Sequence, residues 1–250
     1  MKKLLLIPIA IILFAFMIPA KKKIKIFLAG DSTIAIKETK AYPETGWGMP
    51  FVYFWDSTVT VVNRAKNGRS TKTFLSEGLW KSIYDEAGEG DYVFIQFGHN
   101  DESPEKKERY ATPDTFKLLL TKFINETREK KAIPVLLTPV SRRKFDKDGN
   151  AVETHEQYSA LVKEVAKETH VLFIDLDEKS KALYQQFGAD NSTLLFLQVK
   201  PGEHPNYPEG KIDNTHFNEL GARLIAQIVL KEIQTLIPEL AERVIVPVKK

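Results

Sequence analysis

The sequence predicts a three-layer α/β fold in a single catalytic domain. Five short apolar runs rich in β-branched and aromatic residues recur along the chain, and segments of helical period lie between them. The 250 residues, 43% hydrophobic and 28% charged, suit one domain with a large core better than two.

The elements justify this in order. Residues 1–20 contain Lys2 and Lys3 and no acid, then an unbroken apolar run from Leu4 to Pro19, then Ala20 before Lys21, Lys22 and Lys23. That is the build of a secretory signal, so export to a secreted or periplasmic location is expected, with no stable membrane association after cleavage. A membrane anchor is the competing reading because Ile18 is a poor small residue for cleavage. Yet the run is close to the lower limit of about 17 residues for a span, and Pro8 and Pro19 interrupt or end it.

The runs at 24–29, 59–63, 92–97, 133–138 and 171–174 read as buried parallel strands, each followed by polar or turn-forming residues. Helical segments are expected at 115–130, 155–169 and 219–237. The last carries Ala222, Ile225, Val229, Ile233 and Leu236 on one face before Pro238 stops it. The catalytic domain is expected to span 24–240. Irregular stretches at 34–48, 138–154 and 193–215 are site loops rather than domain boundaries. The charged stretch from Asp101 to Arg109 reads as a solvated loop with functional weight on Asp101 alone, as an anchor to backbone amides.

Charge and cysteine content narrow the function classes. Removal of Lys2 and Lys3 would take the formal net charge from +3 to +1, which gives no footprint for nucleic acid. The absence of cysteine excludes disulfides, thiolate metal ligands and a lipoprotein anchor. A monomer is expected. The sequons at Asn125 and Asn191 carry little weight, because the start of the chain looks bacterial.

In open parallel sheets ligands bind beyond the carboxyl ends of the strands. There the sequence places Gly30-Asp31-Ser32-Thr33, Asn63 to Gly68, Gly98-His99-Asn100-Asp101, and Thr138 to Arg143. A serine hydroxyl needs a base, and the base needs an orienting acceptor. Asp213 and His216, three positions apart before the last helix, can share one side of a turn and supply both. Donors for a developing oxyanion are available in the backbone amides of Ser32 and Gly68 and the side-chain amide of Asn100. Taken singly, Asp31-Ser32-Thr33 reads as a helix N-cap, as do Asp213 or Thr215. Their combination favours catalysis.

These four blocks, in this order, resemble the motifs of the SGNH (GDSL-like) hydrolases. The wider phrases Pro43 to Gly48, Asn67 to Thr71, Phe97 to Asp101 and Asp213 to Phe217 resemble the rhamnogalacturonan acetylesterase family more narrowly, over residues 24–237. The resemblance implies a flavodoxin-like sheet of five parallel strands and removal of acetyl groups from pectic polysaccharide without metal or other cofactor. It implies Ser32, Asp213 and His216 as triad, with Ser32, Gly68 and Asn100 as oxyanion hole. Thr33 stands where many GDSL enzymes have leucine, as is typical of the acetylesterase branch. The Gly-x-Ser-x-Gly elbow of the α/β-hydrolases is absent, since Ile34 follows Thr33 where the closing glycine would stand two positions on.

Four further residues are candidates for substrate contact: Trp47 by stacking on a sugar, His99 beside the oxyanion asparagine, and Arg142 and Arg143 by pairing with uronate carboxylates. A metal at His99 with Asp101 and Glu102 is disfavoured for want of a second matched histidine. Rival readings keep the fold but change the ester, to acetylxylan, another glycan or a lipid-like substrate, or retain only glycan binding. Activity is expected to rise with pH, because only a neutral imidazole can act as base.

Overall fold

The computed structural model describes residues 21–245, so the export signal expected at 1–20 lies outside the described residues. The strands are β1 Ile24–Gly30, β2 Val59–Asn63, β3 Tyr92–Gln96, β4 Ile133–Leu137 and β5 Leu172–Ile174. They form one parallel sheet in the order β2-β1-β3-β4-β5. This is the flavodoxin-like order, whose topological switch lies between β1 and β3.

Helices are α1 Gly48–Phe51, α2 Thr71–Ser76, α3 Leu79–Glu86, α4 Pro113–Glu129, α5 Glu156–Thr169, α6 Leu176–Asn191, α7 Glu219–Leu236 and α8 Pro238–Ala241. Because side chains alternate across a strand, each strand feeds two cores. Ile26, Leu28, Phe94, Val135 and Leu137 pack with Phe51 of α1 and with Ile225, Val229 and Ile233 of α7. Phe27, Ala29, Val93, Ile95 and Leu136 pack with Phe74, Trp80, Phe116, Phe123 and Val162 from α2 to α5. Both faces of the sheet are covered, which is why its strands are apolar runs without alternation.

Residues 193–215, expected to be irregular, differ in the structure. Phe196–Val199 (β6) and Lys211–Phe217 (β7) form a separate antiparallel pair. Phe196 faces Phe217 and Gln198 faces Ile212, so two steps along β6 match five along β7. The surplus of β7 bulges outward, and it is the segment holding Asp213 to His216. Asn218 then caps α7 by accepting from the Gly221 amide at 3.1 Å. Gly221 allows this close docking, since a Cβ there would lie 1.9 Å from the Leu195 carbonyl oxygen.

Candidate active site

Ser32 sits in a tight turn directly after β1, beside the switch point. The turn is held by the Asp31 carbonyl, which accepts from the Ile34 and Ala35 amides. It is also held by Asp31 Oδ1, which accepts from the amide and hydroxyl of Thr33 at 2.9 and 2.8 Å. Gln96 at the end of β3 donates to Thr33 Oγ1 at 2.7 Å and accepts from Trp47 Nε1 at 3.0 Å. Asp31-Ser32-Thr33 therefore builds a turn and does not cap a helix.

On the facing bulge, Asp213 Oδ1 accepts from the amides of Thr215 and His216 at 2.8 and 2.9 Å, curling the chain so that residues three apart share a side. Its Oδ2 lies 2.8 Å from His216 Nδ1, and His216 Nε2 lies 2.9 Å from Ser32 Oγ. Burial pushes the Asp213 carboxyl up, but the His216 ring and the two amides outweigh it and hold the group well below the usual carboxylate range. Serine, imidazole and carboxylate thus form one continuous hydrogen-bonded line, from opposite ends of the chain.

The third wall comes from the loops after β2 and β3. Gly68 has φ of +75°, a left-handed conformation costly for other residues. Asn100 Nδ2 donates to the Arg69 carbonyl at 3.0 Å, and its second N–H has no acceptor among the described residues. Ser32, Gly68, Asn100 and His216 line a common pocket of about 380 Å³, with Lys106, Arg109 and Arg142 also on its wall. A larger groove of about 850 Å³ lies at the β6–β7 pair, but its lining has neither serine nor histidine.

Two substrate-contact expectations are corrected, those for Trp47 and Arg143. Trp47 is fully buried in the core and donates to Gln96, so no sugar can reach it. His99 does line the pocket, and both its ring nitrogens are buried without a partner among the described residues. Burial, with the neighbouring His155 and Arg142, keeps that ring neutral by holding its pKa well below the ordinary value. Arg143 turns away from the pocket. It bonds Ser192 Oγ and Asn214 Oδ1, each at 2.9 Å, and the Ala189 carbonyl. Its backbone amide donates to the Asn214 carbonyl at 2.8 Å. Arg142 does reach the pocket, while donating to Thr215 Oγ1 at 2.7 Å and pairing with Glu102 at 3.3 Å. The two arginines thus brace the Asp213–His216 bulge from the loop after β4.

Asp101 anchors its loop, though over a long range. Its Oδ1 accepts from the amide and hydroxyl of Thr71 at the start of α2, at 2.9 and 2.6 Å. Burial raises its pKa to about 7, against the Thr71 hydrogen bonds. Sequence reasoning missed Lys37. Its ammonium donates to the Ser32 carbonyl at 2.5 Å and to Asn67 Oδ1 at 2.9 Å, and pairs with Glu44 at 2.6 Å. It ties the nucleophile turn to the Gly68 loop. The only signal was a lysine five positions after Ser32, too common a feature to single out. Among the described residues, no group of three or more His, Asp or Glu is arranged to hold a metal ion.

Residues 28–224 match the family model of the GDSL-like lipase/acylhydrolases. The chain belongs to this family. The rhamnogalacturonan acetylesterase RhgT of Bacillus subtilis (strain 168) is 44% identical over 216 residues, covering 86% of this chain and 92% of that one. A rhamnogalacturonan acetylesterase of Emericella nidulans is 25% identical over 237 residues, covering 87% of each chain. Among solved structures, the Bacillus subtilis protein YxiM matches with a TM-score of 0.74 and 26% identity. That match covers 86% of this chain and 57% of YxiM, so the chain spans little more than half of that protein.

Proposed function

We propose that this GDSL-like family member is a serine esterase that removes acetyl groups from a pectic polysaccharide of the rhamnogalacturonan type. The observation that carries the chemistry is the unbroken line from Asp213 through His216 to Ser32 Oγ, with no contact longer than 2.9 Å. In this reading His216 Nε2 takes the serine proton as Oγ attacks the acetyl carbonyl. The resulting imidazolium is held by the Asp213 carboxylate. The amides of Ser32 and Gly68 and the Asn100 side chain receive the oxyanion. As the tetrahedral adduct collapses, the bond to the sugar oxygen breaks, His216 returns the proton to that oxygen, and the acetyl group remains esterified to Ser32 Oγ. Water then attacks the acyl-enzyme with His216 again as base, which releases acetate and restores the serine.

Two features support the substrate class. The relatives RhgT and the Emericella protein bear the name rhamnogalacturonan acetylesterase. The pocket is polar and carries Lys106, Arg109 and Arg142, a wall suited to an acidic sugar chain and ill suited to a long acyl tail. Export fits a polymeric substrate, and N-terminal sequencing of protein recovered outside the cell tests cleavage after residue 20. Acetate release from rhamnogalacturonan, acetylxylan and p-nitrophenyl esters of rising chain length tests the substrate. Fastest turnover is expected on the first, and preference for long acyl chains would overturn the glycan reading.

A further inference from the structure

We infer that Arg109 is a positioning residue of the oxyanion hole, acting through Asn100; this rests on the acyl-transfer reading above. The Asn100 side-chain amide has two orientations that exchange its oxygen and nitrogen, and only one presents N–H to the pocket. Arg109 Nη1 donates to Asn100 Oδ1 at 2.7 Å, while the Arg69 carbonyl accepts from Nδ2 at 3.0 Å. Turning the amide over would set N–H against guanidinium and oxygen against carbonyl. That forfeits one charge-assisted and one neutral hydrogen bond in a residue only 9% exposed. The two neighbours therefore fix the amide with its second N–H free for a substrate oxygen.

The same Nη1 lies 3.5 Å from the Gly68 carbonyl. One cation thereby refers both loops of the hole to a common point. By drawing density from Oδ1 it also strengthens donation by Nδ2–H, since linked hydrogen bonds polarise one another. Arg109 is itself held, its amide donating to the Lys106 carbonyl at 3.0 Å, and the loop behind it is closed by Ala111 N to the Asp101 carbonyl at 3.1 Å. Lysine cannot replace it fully, because an ammonium lacks the planar fork of a guanidinium.

The test is a double-mutant cycle on the full chain with p-nitrophenyl acetate, a neutral ester whose binding gains nothing from a cation. Arg109→Met is expected to lower kcat by about tenfold or more, short of the hundredfold scale for loss of an oxyanion donor. KM should stay within about threefold, and Arg109→Lys should recover part of kcat. Arg109→Met combined with Asn100→Ala should lose no more than Asn100→Ala alone. Should Arg109→Met not fold, Arg109→Lys carries the same cycle. A kcat within about twofold of wild type, a loss confined to KM, or losses that multiply would overturn the proposal. Wild-type kcat in Asn100→Ala itself would instead overturn the oxyanion assignment beneath it.

Discussion

Replacing Asp213 by asparagine changes one atom of the proposed triad and almost nothing of its shape. The asparagine oxygen can keep the amides of Thr215 and His216, now at 2.8 and 2.9 Å from Oδ1, so the bulge should hold. The other atom becomes an NH2 donor 2.8 Å from His216 Nδ1. The ring then offers Nδ1 as acceptor and carries its proton on Nε2, which points at Ser32 Oγ where a lone pair is needed. Reaching the active tautomer breaks one hydrogen bond and leaves two donors facing each other, at a combined cost of roughly 3–6 kcal/mol. That corresponds to a loss of about 10²- to 10⁴-fold in kcat. Steady-state kinetics on p-nitrophenyl acetate, with circular dichroism to confirm the fold, measures it. A variant within about tenfold of wild-type kcat would refute the role given to the carboxylate.

Two other predictions concern the groups behind the site. Lys37→Met leaves Glu44 without its partner in a pair whose side chains are 2% and 14% exposed, and should destabilise by about 3 kcal/mol, the lower end for a buried pair because Glu44 reaches the pocket. Urea unfolding measures the loss; Glu44→Gln in the same background should recover part of it, and a change below about 1 kcal/mol would contradict the pairing. Asp101, with its pKa raised to about 7, keeps in the folded state a proton that the unfolded chain gives up near its ordinary 3.8. Its contribution therefore makes stability fall as pH rises between those values and level off above. Asp101→Asn keeps the acceptor for Thr71 and removes that titration. Melting temperatures should accordingly favour the variant more at pH 7 than at pH 4, and parallel curves would sink the argument.

Much of this was legible in the sequence because burial leaves a compositional trace. The central strands are covered on both faces, so residues 92–97 and 133–138 read as strands from apolar content alone. The blocks after β1, β2 and β3 announced the pocket because small and polar residues interrupt apolar runs at the carboxyl edge. The β6–β7 pair was not legible: Pro201, Gly202, Pro205, Pro208 and Gly210 punctuate it, and Ile212 is 82% exposed, so no strand period survives. Asp213 and His216, expected to share one side of a turn, lie 2.8 Å apart at Oδ2 and Nδ1 on a bulged strand. Arg109 is hidden within a run of charges whose composition marks a solvated loop, and only the fold reveals that Lys106 and Arg109 line the pocket and that Arg109 bonds Asn100. Arg143 shows the converse. Its place on the rim suggests substrate contact, whereas its side chain bonds Asn214, in the histidine's segment, and Ser192 and Ala189 around the end of α6.

The covalent step at Ser32 is open to direct measurement. An activated phosphonate ester should label the wild-type chain once, and peptide mass spectrometry should place the adduct on Ser32, with His216→Ala labelling slowly and Ser32→Ala not at all. An adduct on another residue, or acetate release undiminished in Ser32→Ala, would contradict the account.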